Sequence, residues 1–412
     1  MRPLGAPSAR PRRASPSIGR MTAFTALLPA AALLTAAAVL PPPATAAADS
    51  GAAVAPYVVV LKEASPRAPL RALVDEAAET GDQVGAVYDT VVDGFAVRTT
   101  AARAAALAAD PRVASVEPDA EFRTSDIHTQ TSAPWPLDRI DQRELPLDGA
   151  YAYATKAQGV TAYIVDSGIN TLHQEFGGRA RAGYNAVFLE GSADCSGHGT
   201  HVAGTVGGVT YGVAKGVSLV SVKVADCRGS GRLSGILKGL EWMVKDAARA
   251  PGTPAVANMS MGGTPSFALD SAVRRAVRAG ITFTVAAGND GSNACAGSPA
   301  RVPQALTVGA TDAADRRAPF SDYGPCVDLS APGVAVTSAW KGSPTALARA
   351  TGTSMAAPHV TGVAALILAS GAAKTPAQVA EVLVRSALPG HVSGLPAGTP
   401  NLLLHVPGGA PA

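Results

Sequence analysis

From residue 160 onwards, the apolar residues of the chain form short continuous runs, separated by longer segments of mixed polarity. The runs are VTAYIVDSG (160–168), VSLVSVKVAD (217–226), PAVANMS (254–260), ITFTVAAGN (281–289) and ALTVGA (305–310). Helical periodicity marks HGTHVAGTVGG (198–208), LSGILKGLEWMVKDAAR (233–249) and ALDSAVRRAVRAG (268–280). Apolar strands that alternate with helices are typical of a parallel sheet covered on both faces. We therefore predict an α/β domain with a mostly parallel sheet.

A different order of elements precedes this domain, over residues 57–124. The pattern predicts a strand at 57–62, a helix at 68–80, two strands within 85–100, a helix at 101–111 and a strand at 113–122. This βαββαβ order indicates a small ferredoxin-like α+β domain. It contains no cysteine.

The first 46 residues have the layout of a secretory signal peptide. A basic cluster at 10–13 precedes an apolar run, and small residues follow around Ala46. A transmembrane anchor is the alternative, but the run is rich in alanine and interrupted by Pro29. Met1 and Met21 both fit as the start of translation. We predict a secreted, extracellular protein, with a polar linker at 125–133 that contains the maturation site, followed by a domain at 134–412 of the size of a catalytic domain.

Composition limits the kinds of partner that the protein can bind and indicates whether its cysteines form disulfides. The 34 basic and 31 acidic residues give a net charge of only +3, so no nucleic-acid partner is indicated, and we expect a monomer. The four cysteines all lie between residues 195 and 326, after the small N-terminal domain. In a secreted protein they predict two disulfides, with three possible connectivities.

Four polar residues stand where predicted strands end or helices begin. Asp166 ends a strand, His198 begins a helix, Asn289 follows a strand, and Ser354 begins the last long helix. Ligands bind at the carboxyl ends of strands in such sheets. A serine hydroxyl becomes a nucleophile when a base removes its proton and an acid orients that base. The four residues therefore predict nucleophilic catalysis.

Each of these residues also has a simpler interpretation. Asp166 and Ser354 are common capping residues, and Asn289 is a common turn residue. Cys195, His198 and His201 have the spacing C-x-x-H-x-x-H, which could bind zinc. A zinc site lacks a clear fourth ligand and leaves the other three polar residues unexplained.

Three segments resemble the signature boxes of the subtilisin family of serine proteases (peptidase S8). They are IVDSGI, GHGTHVAGT and GTSMAAP, in the order Asp, His, Ser. The likeness runs from about Pro134 to the C-terminus and is closest to the aqualysin-like enzymes of the proteinase K branch. Residues 57–124 resemble the inhibitor-type (I9) propeptide of the same family. This resemblance implies a subtilisin-like fold and a broad-specificity endopeptidase that acts on proteins and peptides. It also implies that the propeptide serves as chaperone and inhibitor.

The resemblance assigns roles residue by residue. It implies Asp166, His198 and Ser354 as a catalytic triad and Asn289 as the oxyanion-hole amide, with no catalytic cofactor. Pro358 would then lie in the first turn of the nucleophile helix. The implied substrate-binding residues are Gly229, Ser230, Gly231, Ser260, Met261 and Gly262 along the peptide, and Ala286, Ala287 and Gly288 around the P1 side chain. We expect apolar and aromatic P1 residues, because no acidic residue is visible at these pocket positions.

Disulfides and calcium sites are implied in the same way. The aqualysin pattern implies Cys195–Cys227 and Cys295–Cys326. Structural Ca²⁺ is implied at Asp328 with the carbonyls of Pro303 and Ala305. A second calcium loop is implied at Asp138, Asp141, Gln142 and Asp148, although Ala150 replaces an expected Asn. Solvated carboxylates without a metal are the alternative.

A binding protein of the same fold without activity is the alternative function. Such a protein is expected to lack a triad member or the oxyanion amide, and all four are present. An α/β-hydrolase esterase would need G-x-S-x-G and the order Ser, Asp, His. Neither occurs in the sequence.

Overall fold

The computed structural model describes residues 53–62, 68–120 and 127–407. The predicted signal peptide lies outside these residues. No helix within them is both long and apolar enough to cross a membrane. The described residues divide into two compact units, one up to residue 120 and one from residue 127 onwards.

The smaller unit has the predicted βαββαβ order. Its elements are β1 (Val54–Leu61), α1 (Ala68–Glu79), β2 (Gln83–Tyr88), β3 (Gly94–Thr100), α2 (Ala101–Ala108) and β4 (Val113–Pro118). The strands form an antiparallel sheet in the order β2-β3-β1-β4. Leu73 of α1 and Leu107 of α2 pack with Val59 and Phe95 of the sheet. The apolar face of each helix therefore forms the core of this unit.

The larger unit has a central, mostly parallel sheet, as the apolar runs predict. Its first elements are β5 (His128–Thr131), α3 (Trp135–Asp141), β6 (Ala150–Tyr153), β7 (Thr161–Asp166), β8 (Ala180–Asn185), α4 (His198–Gly207), β9 (Ser218–Lys223) and α5 (Leu233–Ala247). Then follow β10 (Ala255–Met259), α6 (Phe267–Arg278), β11 (Ile281–Ala286), β12 (Leu306–Thr311), β13 (Leu329–Pro332), β14 (Val336–Ala339) and β15 (Leu347–Ala350). The last are α7 (Thr353–Ala369), α8 (Pro376–Ser386), β16 (Leu388–Pro389) and β17 (Leu402–Leu403).

Within the described residues the central sheet has the order β16-β17-β13-β12-β11-β10-β7-β9-β8. Only the β16–β17 pair at its edge is antiparallel. Strand β7 shows why the central strands are apolar throughout. Its Ala162 and Ile164 pack in the cluster that contains α4 and α7, whereas Tyr163 and Val165 pack in the cluster that contains α5 and α6. Helices therefore cover both faces of the sheet.

Part of the predicted linker is a strand. Residues 128–131 form β5, which pairs antiparallel with β6 of the larger unit. The sequence HTQT is polar and does not alternate with apolar residues, so its pattern did not predict a strand. Its pairing with β6 makes it part of the larger unit.

Candidate active site

Asp166 and His198 meet where β7 ends and α4 begins. His198 Nδ1 lies 2.8 Å from Asp166 Oδ1 and 3.0 Å from Oδ2. The Ser167 backbone N–H also donates to Oδ1, at 2.7 Å. Asp166 is buried, while the His198 side chain is 32% exposed. The carboxylate thus favours the tautomer with the proton on Nδ1, which leaves Nε2 as a proton acceptor.

The surroundings of His198 favour its charged form. Burial disfavours the imidazolium, but the charge and hydrogen bond of Asp166 outweigh it, with a further contribution from Asp194. The pKa of His198 is therefore raised above its ordinary value. A base with a raised pKa holds an abstracted proton more firmly.

Asp194 is a buried carboxylate that the sequence analysis did not single out. Its Oδ1 accepts from Ser167 Oγ at 3.0 Å and from the backbone N–H groups of Ser196 and Gly197 at 3.0 and 2.8 Å. Its Oδ2 accepts from the N–H and hydroxyl of Thr200 at 2.9 and 2.6 Å. Asp194 therefore fixes the turn before α4 and orients the helix that carries His198.

Ser354 is the second residue of α7, where backbone N–H groups have no partner within the helix. Its hydroxyl donates to the carbonyl oxygen of Ser260 at 3.0 Å. Donation to His198 thus requires rotation of the Ser354 side chain. Ser354 and Asn289 line the same cavity beside Ser260.

The expected position of Pro358 in the first turn of α7 is wrong, because Pro358 is the sixth residue of that helix. Proline has no N–H to donate to the carbonyl four residues earlier, which is that of Ser354. The Ser260 hydroxyl donates to this carbonyl instead, at 2.9 Å. Asn258 in turn donates to Ser260 Oγ at 2.8 Å. A buried polar network thus holds the residue that carries the candidate nucleophile.

The side chain of Asn289 has a defined orientation. Its Oδ1 accepts from the backbone N–H of Thr353 at 2.8 Å and from the Thr353 hydroxyl at 3.0 Å. Because the oxygen takes both donors, the amide nitrogen points to the other side. The Nδ2 group and the free N–H of Ser354 are the donor types that an oxyanion hole needs.

Three adjoining cavities bring the predicted substrate residues together. A cavity of about 590 Å³ is lined by Ser260, Met261, Gly262, Ala286, Ala287, Gly288, Asn289 and Ser354, among others. Another, of about 410 Å³, shares Met261 and Gly262 and is also lined by Gly229, Ser230 and Gly231. The third, of about 230 Å³, contains Asp166, His198, Gly229, Ser260 and Met261. The candidate catalytic residues thus lie along one continuous cleft.

No acidic residue stands at positions 286–288 in the sequence, but the fold brings two acidic residues to the cavity that these positions line. Asp290 and Asp322 both line the 590 Å³ cavity. Asp322 comes from the loop between β12 and β13, far along the chain from Ala286. No local sequence pattern connects the two segments.

Comparisons with known proteins agree with this geometry. The subtilase family model matches residues 157–405, and the peptidase inhibitor I9 model matches residues 56–125. The chain belongs to the subtilase family. It is a serine-type endopeptidase with an inhibitor I9 propeptide domain.

Relatives of this chain are named as serine proteases, and one of them is extracellular by name. An extracellular serine proteinase from Thermus sp. (strain Rt41A) is 53% identical over 328 residues, 79% of this chain and 78% of that protein. Alkaline serine exoprotease A from Vibrio alginolyticus is 48% identical, over 78% of this chain and 60% of that protein. The crystal structure of a cold-adapted subtilisin-like serine proteinase is 49% identical, with a TM-score of 0.64 over 67% of this chain and 99% of that chain.

This subtilase contains the disulfides Cys195–Cys227 and Cys295–Cys326. Cys195 lies three residues before His198, and Cys227 lies two residues before Gly229. Buried Lys223 lies close by, donating to the Ser167 carbonyl at 2.7 Å and pairing with Glu190 at 3.2 Å. These contacts tie the end of β7 to the edge segment of the cleft.

The zinc interpretation is excluded by the same contacts. Cys195 is oxidised, and the Nε2 group of buried His201 donates to the Val336 carbonyl at 3.0 Å. Among the described residues, the one group of three close metal-binding side chains is Glu190, Cys195 and Cys227. Both of its cysteines belong to the disulfide.

The carboxylates implied as calcium ligands differ in their partners: both oxygens of Asp138 accept from backbone N–H groups, at 3.2 and 2.8 Å, whereas Asp141 and Asp328 each have one such donor. Asp141 Oδ1 is buried without a hydrogen bond, and burial, together with the charges of Asp148 and Asp138, raises the pKa of Asp141 to about 7. Burial likewise raises the pKa of Asp328 to about 6, although the Thr307 N–H donates to Oδ2 at 2.7 Å. Gln142 Oε1 accepts from the Asp148 N–H at 3.3 Å. A hard cation would relieve both desolvated carboxylates.

Proposed function

We propose that this subtilase is a secreted endopeptidase of broad specificity that cleaves peptide bonds through an acyl-enzyme. Asp166, His198 and Ser354 form the triad, and Asn289 donates to the oxyanion. The observation that carries the proposal is the Asp166–His198 hydrogen bond in the cleft that Ser354 also lines. The named activity of the relatives agrees with it.

The reaction begins when Ser354 Oγ turns from the Ser260 carbonyl towards His198. His198 Nε2 takes the hydroxyl proton while Oγ attacks the substrate carbonyl. Asn289 Nδ2 and the Ser354 N–H stabilise the negative oxygen that forms. His198 then protonates the leaving amine, and water hydrolyses the acyl-enzyme by the reverse proton route. Asp166 holds the ring and stabilises the imidazolium throughout.

Substrate binds as an extended strand between two segments of backbone that line the cleft. Gly229, Ser230 and Gly231 form one edge, and Ser260, Met261 and Gly262 form the opposing wall. Pairing through main-chain groups explains broad sequence tolerance. Small residues, Ala286, Ala287 and Gly288, leave room for a large P1 side chain, so apolar and aromatic P1 residues are preferred.

A series of succinyl-Ala-Ala-Pro-X anilides tests the proposed activity and its P1 preference. We expect kcat/KM to be higher for Phe than for Lys or Arg, and a serine-directed covalent inhibitor to abolish all turnover. A higher value for Lys than for Phe would contradict the aromatic preference. Inhibitor-resistant turnover would contradict the serine mechanism.

We also propose that Ca²⁺ stabilises the fold at two sites. Asp328 with the carbonyls of Pro303 and Ala305 would hold one ion. Asp138, Asp141, Gln142 and Asp148 would hold the other. An ion that binds only the folded state at 100 times its Kd adds about 2.7 kcal/mol to the free energy of unfolding. EDTA should therefore lower the melting temperature of the inhibitor-blocked enzyme, and less so in Asp328→Asn or Asp141→Asn. A variant that keeps the full EDTA response does not carry a site.

The proposed route to the active enzyme gives a role to four segments of the chain. Residues 1–46 direct secretion, residues 57–124 assist folding and inhibit, and 125–133 contain the bond that is cut. Residues 134–412 are the catalytic domain. The I9 match over 56–125 and the extracellular relative support this organisation.

A further inference from the structure

The cavity next to Ser354 contains a nearly buried carboxylate. Asp322 is 7% exposed and lines the 590 Å³ cavity together with Ala286, Ala287 and Ser354. The neighbouring lining residues are mostly Gly, Ala, Ser and Thr. None of the residues that line the cavity is Lys, Arg or His. The charge of Asp322 is thus not neutralised by a basic side chain of the cavity.

The two oxygens of Asp322 differ in their contacts. Oδ1 accepts from the backbone N–H groups of Asp290 and Ser292, at 3.0 and 2.8 Å. These bonds fix the side chain against the loop that follows Asn289. Oδ2 has no hydrogen-bond or ion-pair partner among residues 53–62, 68–120 and 127–407, and it is not sealed from solvent. Oδ2 is therefore an available acceptor.

Gly288 makes room for this oxygen. A Cβ atom built on Gly288 would overlap Asp322 Oδ2, and its φ of +120° also disfavours other residues. Gly288 lines the cavity as well. The carboxylate therefore stands directly against the wall to which the P1 side chain is assigned.

We infer that Asp322 is a specificity residue that allows this protease to cleave after Lys and Arg, beside its aromatic preference. The inference rests on the proposed assignment of this cavity to P1. The methylene stem of Lys or Arg packs along Ala286 and Ala287, and its charged end reaches Oδ2. A charge-assisted hydrogen bond in a nearly buried site is stronger than its exposed counterpart.

The experiment compares Lys with norleucine, whose side chain has a similar length and no charge. Succinyl-Ala-Ala-Pro-Lys and -norleucine anilides are assayed with the wild-type enzyme, Asp322→Asn and Asp290→Asn. Active enzyme is titrated with a fluorophosphonate. Asp322→Asn keeps the Oδ1 acceptor for both N–H groups, so it removes the charge and not the loop contacts. Asp290→Asn is the matched control, because Asp290 lines the same cavity but is exposed.

We expect the Lys/norleucine ratio of kcat/KM to fall by about tenfold in Asp322→Asn, which equals about 1.4 kcal/mol. In Asp290→Asn it should fall by less than about twofold, because water screens an exposed charge. An unchanged ratio in Asp322→Asn, or an equal fall in both variants, overturns the inference.

If Asp322→Asn yields no protein that can be titrated, the Lys/norleucine ratio of kcat/KM of the wild-type enzyme tests the inference instead. A Lys/norleucine ratio of about one or more supports the inference, since an apolar pocket penalises an ammonium group. A ratio below one overturns it. A wild-type enzyme that is neither labelled nor active on any of these substrates would instead contradict the proposed function itself.

Discussion

One ring nitrogen of His198, Nδ1, contacts a buried carboxylate, and the other, Nε2, is left to act in the cleft. Asp166 binds Nδ1 at 2.8 Å, and Asp194 fixes the turn from which the helix of His198 begins. Burial lowers the pKa of His198, but Asp166 and Asp194 together raise it by more. The proton affinity of the base therefore depends on burial and on two acids, of which only Asp166 is hydrogen-bonded to it.

The pH dependence of kcat/KM tests this arrangement. The base must be neutral in the free enzyme, so activity should rise with pH through a pKa above the ordinary His value of about 6.5. Asp194→Asn removes a negative charge and should shift this limb to lower pH, while a remote Asp312→Asn control should not. A wild-type limb at or below 6.5, or one unmoved by Asp194→Asn, would count against the account.

Asn289 provides a second test at the residue scale. The Asn289→Ala variant loses a donor that acts on the transition state, so kcat should fall about 10²–10³-fold with little change in KM. This magnitude is taken over from subtilisin, a member of the same family. Steady-state kinetics on the Phe anilide measure it. A change confined to KM would remove Asn289 from the oxyanion hole.

At the scale of elements, the ends of β7, α4 and α7 bring the candidate triad together. The start of α4 follows the end of β7 by 32 residues, and α7 begins more than a hundred residues after α4, but the parallel sheet places these ends at one edge. Local hydrogen bonds fix the starts of both helices. Asp194 accepts from the turn before α4, and the Ser260 hydroxyl donates to the Ser354 carbonyl, which has no helical partner because Pro358 lacks an N–H. The geometry thus depends on helix ends rather than on flexible loops.

The two disulfides give a prediction with an internal control. They close loops of nearly equal length, with separations of 32 and 31 residues, worth about 3–4 kcal/mol each in the loop-entropy model. Replacing either pair by serines should lower the unfolding free energy of inhibited enzyme by similar amounts in urea. Only loss of Cys195–Cys227 should also lower kcat, because Cys195 lies next to the turn before His198. Equal effects on kcat would contradict this distinction.

The elements of both units were predictable from sequence to a large extent, because continuous apolar runs and helical periodicity are strong signals. Strand β5 was not, since HTQT carries neither signal and is a strand only through its pairing with β6. The sequence also did not predict the roles of three further residues: Asp194 before α4, Ser260 as a donor to Ser354, and Asp322 in the cavity. Each depends on contacts between segments far apart in the chain. Such contacts have no local pattern, whereas the family boxes around Asp166, His198 and Ser354 do.

At the scale of the whole molecule, the propeptide assignment predicts self-processing. Ser354→Ala should accumulate as uncut proprotein, while the wild-type protein should yield a mature chain that begins near His128. A cut there keeps β5 intact for its pairing with β6. N-terminal sequencing of both proteins, from a host without extracellular proteases of its own, measures this. Clean processing of Ser354→Ala in that host would mean that another protease makes the cut.

The central claim is that Ser354 is the nucleophile and that His198 activates it. A fluorophosphonate probe followed by peptide mass spectrometry tests this most directly, on the purified mature wild-type protein and on His198→Ala freed of its propeptide by an added protease. We predict one adduct per wild-type chain, on Ser354, formed in parallel with loss of casein hydrolysis, and a strongly slowed reaction in His198→Ala. An adduct on a different residue, or full casein hydrolysis by a fully labelled enzyme, would contradict the account.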